Sequence, residues 1–434
     1  MDPFILISLP LALISAILVS YYFPKLTVIG YIVFGVFPRA FSERFDYEFY
    51  DTAIGGGFNA VDVFIIGMAC VIAIKILRTK GLRRFLRIIA FPSLAFLLWL
   101  LIEIARNVTT YGLSSPGEFR GRYFMLISLF YVLVNFDTEK KRRDLLPILS
   151  LFVIYSVLAM TIFTGIMTGW DYGPENRFMH SSVSLAMSEA FLAYIIFQKY
   201  GLMSKNLLQT FALSFPVFLL VIVDSHRSVW LCLVVFVAFL FFIKELRVSK
   251  IFKLAIPLVV TLVLVSMILE KNRMDLVGYI SERSIAYVDY EEDPTSAWRV
   301  AIWINAFEVI LQYPLAGIGF GGHWEAITMP GTTEGMNLFP HSIYIMTLVK
   351  LGVIGLILYL WYVLRIGKIL YRAVETCGDF LHIEKGYVVL ALGYLLVINV
   401  YGLVYGFEHL SWLFVGLGLA AIKGKTMTGV TDAR

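Results

Sequence analysis

Ser296-Ala-Trp298-Arg299-Val-Ala-Ile-Trp303, then Tyr313-Pro-Leu-Ala-Gly317-Ile-Gly319-Phe-Gly321-Gly322, then Pro340-His341-Ser342, all lie within Leu269–Gly355. That interval is the one long polar stretch in a chain that otherwise keeps returning to apolar runs of membrane-spanning length. A connection this long between two spans is usually functional. It is therefore read as the working part of a membrane enzyme, and the rest of the chain as its support.

Composition fixes the broad class. The chain has 434 residues, 59% of them hydrophobic and 15% charged, with a mean hydropathy of +0.81. Soluble domains carry roughly 25% charged residues. The reading is an all-α polytopic membrane protein. The net charge of +5 does not indicate a nucleic-acid partner, because the Lys and Arg sit in short connections between apolar runs. That placement records orientation across a bilayer. Cys70, Cys232 and Cys377 are scattered and imply no disulfide framework or metal-ligand set. The apolar run from Phe4 has no basic flank before it and no Ala-x-Ala site after it, so it is expected to be retained.

Thirteen apolar runs approach the roughly 20 residues that a helix needs to cross hydrocarbon; 26–37 and 409–422 are short. Because 26–37 cannot cross upright and is closed by Pro38, residues 4–37 are expected to form one crossing plus a broken piece. That gives about 12 transmembrane helices with both ends inside. Arg78–Arg87, Lys140–Arg143, Lys199–Lys205, Lys244–Lys253 and Arg365–Lys385 are basic and therefore cytoplasmic. The connections between them face outward, which in a bacterium means the periplasm. The expected division is an N-terminal bundle over 1–269, one large periplasmic loop with short helices over 270–340, C-terminal helices over 341–422, and a cytoplasmic tail over 423–434.

Candidate site residues are the charges on the outer side. Arg227 follows Asp224-Ser-His226, a connection so short that the guanidinium sits at the membrane surface where the next helix begins. Guanidinium plus helix N-terminus suits a phosphate; a local pair with Asp224 or snorkelling are the plainer alternatives. Arg299 opens a segment of helical character over Ser296–Tyr313, with Glu308 half a turn round, so one face can rest on the membrane. Trp298, Trp303 and Trp324 can stack on sugars, but an interfacial aromatic belt is the commoner use. The run Gly317–Gly322 lacks the strand-to-helix context of a phosphate loop and reads as a flexible re-entry turn. His341, Ile345, Leu348, Gly352 and Gly355 fall on one helical stripe whose glycines admit a neighbouring helix. An imidazole at its upper end can take a proton from a hydroxyl, or simply cap the helix. Arg120, Arg122 and Arg177 lie on or near outward connections. The acidic run Asp289–Asp293 lacks a calcium-loop order and reads as a solvated face.

His341-Ser342, nine residues, then Gly352-Val-Ile-Gly355 resembles the His-(Asn/Ser/Gln)-x9-Gly-x-x-(Gly/Thr/Tyr) signature of bacterial O-antigen ligases. The wider pattern is similar to the O-antigen ligase and polymerase superfamily: Arg227 at the outer end of a helix, Arg299 before Trp303 in a large loop, and Pro314-Leu-Ala-Gly317-Ile-Gly319. The resemblance covers roughly residues 175–365. It implies a metal-independent, cofactor-free and inverting glycosyltransferase in the bacterial inner membrane, active on the periplasmic face. The donor would be an undecaprenyl pyrophosphate-linked O-antigen and the acceptor a sugar of the lipid A core. By matching position His341 is implied as the catalytic histidine. Arg227 and Arg299 take the donor-phosphate role, and Arg177, Arg122 and Trp303 are further substrate-binding candidates. A polymerase or a protein O-oligosaccharyltransferase of the same superfamily is the nearest alternative. A transporter or flippase is more distant, because the informative charges cluster outside rather than at mid-membrane.

Overall fold

The computed structural model describes residues 3–36, 60–112, 120–167, 181–203, 205–223, 226–245, 294–324, 326–329, 332–334, 340–375, 382–404 and 410–427, with Val259 and Val263. Over these the chain is built of helices. They are α1 (Pro3–Tyr22), α2 (Pro24–Tyr31, continued by a π-helical turn Ile32–Val36), α3 (Ala60–Arg78), α4 (Lys80–Tyr111), α5 (Arg120–Asn135) and α6 (Glu139–Pro147). A π-helical turn at Ile148–Phe152 leads into α7 (Val153–Met167), followed by α8 (Ser181–Lys199), α9 (Leu207–Val223), α10 (Arg227–Phe242) and α11 (Pro294–Gln312). After a small hairpin come α12 (Ile343–Glu375), α13 (His382–Val404) and α14 (Leu410–Met427). The hairpin, β1 (Ala326–Met329) against β2 (Thr332–Glu334), is antiparallel and is the one departure from an all-helical reading among the described residues.

Among the described residues five helical stretches are long and apolar enough to cross a membrane, and six shorter apolar helices accompany them, so this is a multi-pass membrane protein. Of the expected run 251–269, only Val259 and Val263 fall among the described residues. α13 is the hub, packed against α10, α12 and α14. Its neighbours interlock through close contacts: a Cβ on Gly418 would meet the side chain of Ala391, and one on Gly393 would meet the ring of Phe236. In lipid there is no solvent force pressing helices together, so such contacts carry the packing.

The bundle sorts its connections by charge. At one end Glu245 accepts from Lys199 and lies 2.6 Å from Lys385, while Arg142 meets Glu384 at 2.5 Å. Lys75 donates to Asn135 at 2.6 Å at that same basic end. These residues come from the five connections expected to be cytoplasmic or from the helix ends that feed them. At the opposite end Ser181 bonds Tyr401 and Tyr344 donates to Asn399. The alternation read from Lys and Arg therefore matches the packing.

The start of the chain differs from expectation. Arg78 donates to the Tyr21 hydroxyl at 3.1 Å, and Lys25 pairs with Asp144 at 2.8 Å. Both contacts bring the end of α1 to the basic end, and Gly67 of α3 packs on Ala16 and Ser20. α1 thus runs parallel to α3 and begins at the end away from Arg78. α2 then turns back, with Gly30 and Phe34 against Phe64. Residues 3–36 form the 20-residue α1 and a shorter antiparallel piece over Pro24–Val36, because Pro24 opens a fresh helix after the turn at Phe23.

Candidate active site

α12 begins at the end away from the basic connections, and its start is built by three consecutive residues. Pro340 is buried. His341 has φ +46°, in the left-handed region where a non-glycine side chain is held only by its surroundings. Ser342, buried, accepts at Oγ from the N–H of Ile345 at 3.5 Å, while Met346 N–H reaches the Ser342 carbonyl at 2.9 Å. Ser342 is therefore the N-cap, which explains why a short polar residue must follow the histidine. His341 stands one residue outside the helix rather than on its stripe.

α11 forms the wall beside it. The Trp303 indole N–H donates to the Pro340 carbonyl at 2.6 Å. The Trp298 ring meets the His341 ring edge-on, 5.0 Å between centroids and 66° between planes. Ile302 and Ala306 bury against Trp324 and Val349 in a small core of their own, while Ile304, Phe307 and Leu311 face outward. α11 is amphipathic as expected. The aromatic-belt reading is corrected: Trp298 and Trp303 on α11, and Trp324 beyond the glycine turn, all make inward contacts because α11 lies against α12.

Electrostatics single out the imidazole. Burial and then the adjacent Arg299 guanidinium push the His341 pKa down to about 4. Both causes act against the charged form. At neutral pH the ring is uncharged and keeps a lone pair.

Below His341 the helix breaks. Gly352 adopts φ 67°, ψ −171°, a conformation essentially confined to glycine. Across the break the segment Pro314–Gly319 supplies the missing partners. Ile318 and Gly319 N–H groups donate to Val349 and Lys350 carbonyls at 2.9 and 3.1 Å; Val353 and Ile354 N–H groups donate to Pro314 and Leu315 carbonyls at 2.8 and 3.2 Å. Backbone freed inside a membrane protein must be satisfied by other protein groups, and here two sequence motifs do this for each other. A Cβ on Gly352 would overlap the Leu315 carbonyl, and one on Gly317 (φ 64°) the Val349 carbonyl. The glycine run is thus a pinned turn, not a flexible one. Gly352 admits a loop backbone rather than a neighbouring helix, whereas Gly355 does sit beside Trp99 of α4.

Three residues that sequence reasoning passed over hold this turn. Arg106 of α4 donates to the Ala316 and Gly317 carbonyls at 3.1 and 3.2 Å and pairs with buried Glu103 at 2.6 Å. Tyr111 donates to Ile318 O at 3.0 Å. Lys350, only 1% exposed, donates to Gly322 O at 2.7 Å and Phe320 O at 3.4 Å. The available signal was a charge within an apolar span, which needs a reason.

Of the expected site residues, the structure brings His341, Arg299 and Trp303 together. Arg227 opens α10, whose Cys232 and Phe236 meet Val397 and Tyr394 of α13. α12 meets the same helix through Tyr344 at Asn399 and Ile343 at Gly402. Arg227 and His341 therefore start their helices at the same end of α13. Arg122 is in the first turn of α5, its side chain outside the described residues; Arg177 and Asp289–Asp293 also lie outside them.

Comparison with known proteins places a family on this geometry. No curated protein matches the chain. The matched stretch begins within α9, takes in α10 and α11, and ends within α12 beyond Gly355: residues 211–360 match a family model described as O-antigen ligase.

Proposed function

We propose that this protein is an O-antigen ligase of the bacterial inner membrane, a multi-pass protein with the His341 end facing the periplasm. It moves a glycan from undecaprenyl pyrophosphate to a sugar hydroxyl of the lipid A core. The observation that carries the reading is the half-buried His341 at the start of α12, edge-on to Trp298 and next to Arg299 of the helix that Trp303 ties to Pro340.

In the reaction the acceptor hydroxyl oxygen attacks the anomeric carbon, and the bond from that carbon to the diphosphate oxygen breaks. The electron pair leaves on the lipid diphosphate, and His341 takes the hydroxyl proton. One displacement inverts the anomeric configuration. Arg299 and Arg227 face the charge growing on the leaving diphosphate, with the α10 N-terminus adding its partial positive charge. An imidazole depressed by a neighbouring cation is a weak base on its own. Once the diphosphate sits on Arg299 that charge is offset and the imidazolium is stabilised, so the base strengthens when the donor is present. The exposed apolar face of α11, Ile304, Phe307 and Leu311, lets it rest on the outer leaflet, where both lipid substrates arrive sideways.

Deletion of the gene followed by lipopolysaccharide gel analysis, with the lipid-linked pool measured alongside, tests this. A ligase leaves core-only lipopolysaccharide and an accumulated long-chain lipid-linked pool. Short chains still attached to the core would overturn it in favour of a polymerase.

A further inference from the structure

We infer that Lys350 is a positioning residue of the active site, the latch that holds α11 in register with His341. The inference rests on the ligase reading for its functional meaning, but its geometry stands apart from it.

Lys350 is carried on the last turn before the helix break. Its own carbonyl accepts from Gly319, and its ammonium reaches round to the Gly322 and Phe320 carbonyls, so one residue grips the turn at both ends. The chain on either side of that turn leads into the site. Upstream, Tyr313 and Pro314 continue directly from α11, which carries Trp298, Arg299 and Trp303. Downstream, two residues beyond Gly322, Trp324 buries with Ile302, Ala306 and Val349. The upper part of α11 is tied to the His341 turn by Trp303 and Pro340. Among the described residues, its lower end meets α12 through this turn and through Val309 and Ile310 packing on the small core that includes Val349. A buried lysine inside an apolar helix is costly, and using its charge on two backbone carbonyls of a neighbouring segment is a fixed geometric arrangement rather than a solvated one.

Freeing the turn should therefore let α11 drift from α12. The first casualty is the spacing between Arg299 and His341. Arg299 is the charged group acting on His341 from α11; Glu308 of the same helix is exposed, and Lys350 lies further down His341's own helix. Loss of register is then readable as a change at the imidazole, measured on monodisperse protein because unfolding also returns the ring to its ordinary titration.

The test uses the full-length protein in detergent and three variants: Lys350→Gln; Lys350→Met, which keeps bulk and suits an apolar span; and Lys350→Arg. Diethyl pyrocarbonate modification of the His341 peptide is followed against pH by mass spectrometry, which resolves it from the other histidines among the six in the chain. In the wild type, reactivity should hold down to about pH 5. In the Gln and Met variants its midpoint should rise by about one pH unit, since removing a nearby charge effect has that order of consequence. The Arg variant should titrate like the wild type. Glycan transfer should fall roughly 10- to 100-fold in kcat with KM little changed, the cost of a misplaced catalytic group. Wild-type titration in whichever of the two neutral variants stays monodisperse would overturn the latch, whatever transfer does. Shifted titration in a protein with no ligase activity at all would leave the latch standing and remove the proposed function instead.

Discussion

Trp303 donates its indole N–H to the carbonyl of Pro340, 2.6 Å away, and so fixes the helix that carries Arg299 to the residue before the histidine. A tryptophan in this role is a strut between two elements. Trp303→Phe keeps the ring and removes the donor, which should cost about 1 kcal/mol of stability. Transfer by the purified variant should drop several-fold while its elution profile stays unchanged. Transfer at the wild-type rate would show that the strut does not set the site.

The imidazole couples folding to pH. In the folded chain His341 titrates near 4, and in the unfolded chain near its ordinary 6.5. Between those values the unfolded state holds more protons, so stability rises with pH across that window. The contribution is fully present above about pH 6.5, is lost as pH falls toward 4, and changes no further below. Its size is on the order of 3 kcal/mol at most. Between pH 7 and 4 the thermal midpoint of the wild type should fall relative to that of His341→Gln, which has no proton to take up. Parallel curves would show that the ring is not held uncharged.

Arginine at 299 and 227 is expected to matter for its fork as well as its charge. A guanidinium can bind a phosphate through two parallel N–H groups, whereas an ammonium is a point donor. Arg227→Lys and Arg299→Lys should each raise the donor KM and lower kcat in a reconstituted assay. Full activity in both would reduce their role to charge attraction.

Gly352→Ala should be among the most damaging single substitutions away from the chemistry. It asks alanine to take φ 67°, ψ −171° and drives a methyl into the Leu315 carbonyl. A loss of several kcal/mol follows from strain and overlap together, with four backbone bonds at risk. Yield of monodisperse protein after extraction measures this, and a normal yield would mean the break is not required.

The sequence was legible where one residue type carries one physical meaning. Lys and Arg in short connections fixed which helix ends lie together, and contacts such as Lys385 with Glu245 follow that sorting. Arg299 could be placed beside His341 only through the family resemblance, since 42 positions separate them (341 − 299) and nothing local links them. The helix break was hidden because Gly352 falls on the same stripe as His341 and Gly355, so an unbroken helix accounted for the pattern equally well. Only the docked Pro314–Gly319 backbone distinguishes the two. α1 misled for a different reason. Length read 26–37 as a short piece but carried no direction for α1, which is set by the tertiary contact of Tyr21 with Arg78.

The most direct test is glycan transfer by purified His341→Ala in lipid, with donor binding measured in the same preparation. The expected result is a fall of about 10² to 10⁴ in rate with donor binding close to wild type, the usual contribution of a general base. Transfer at the wild-type rate, with the donor bound as before, would contradict the assignment of His341 as the group that takes the acceptor's proton.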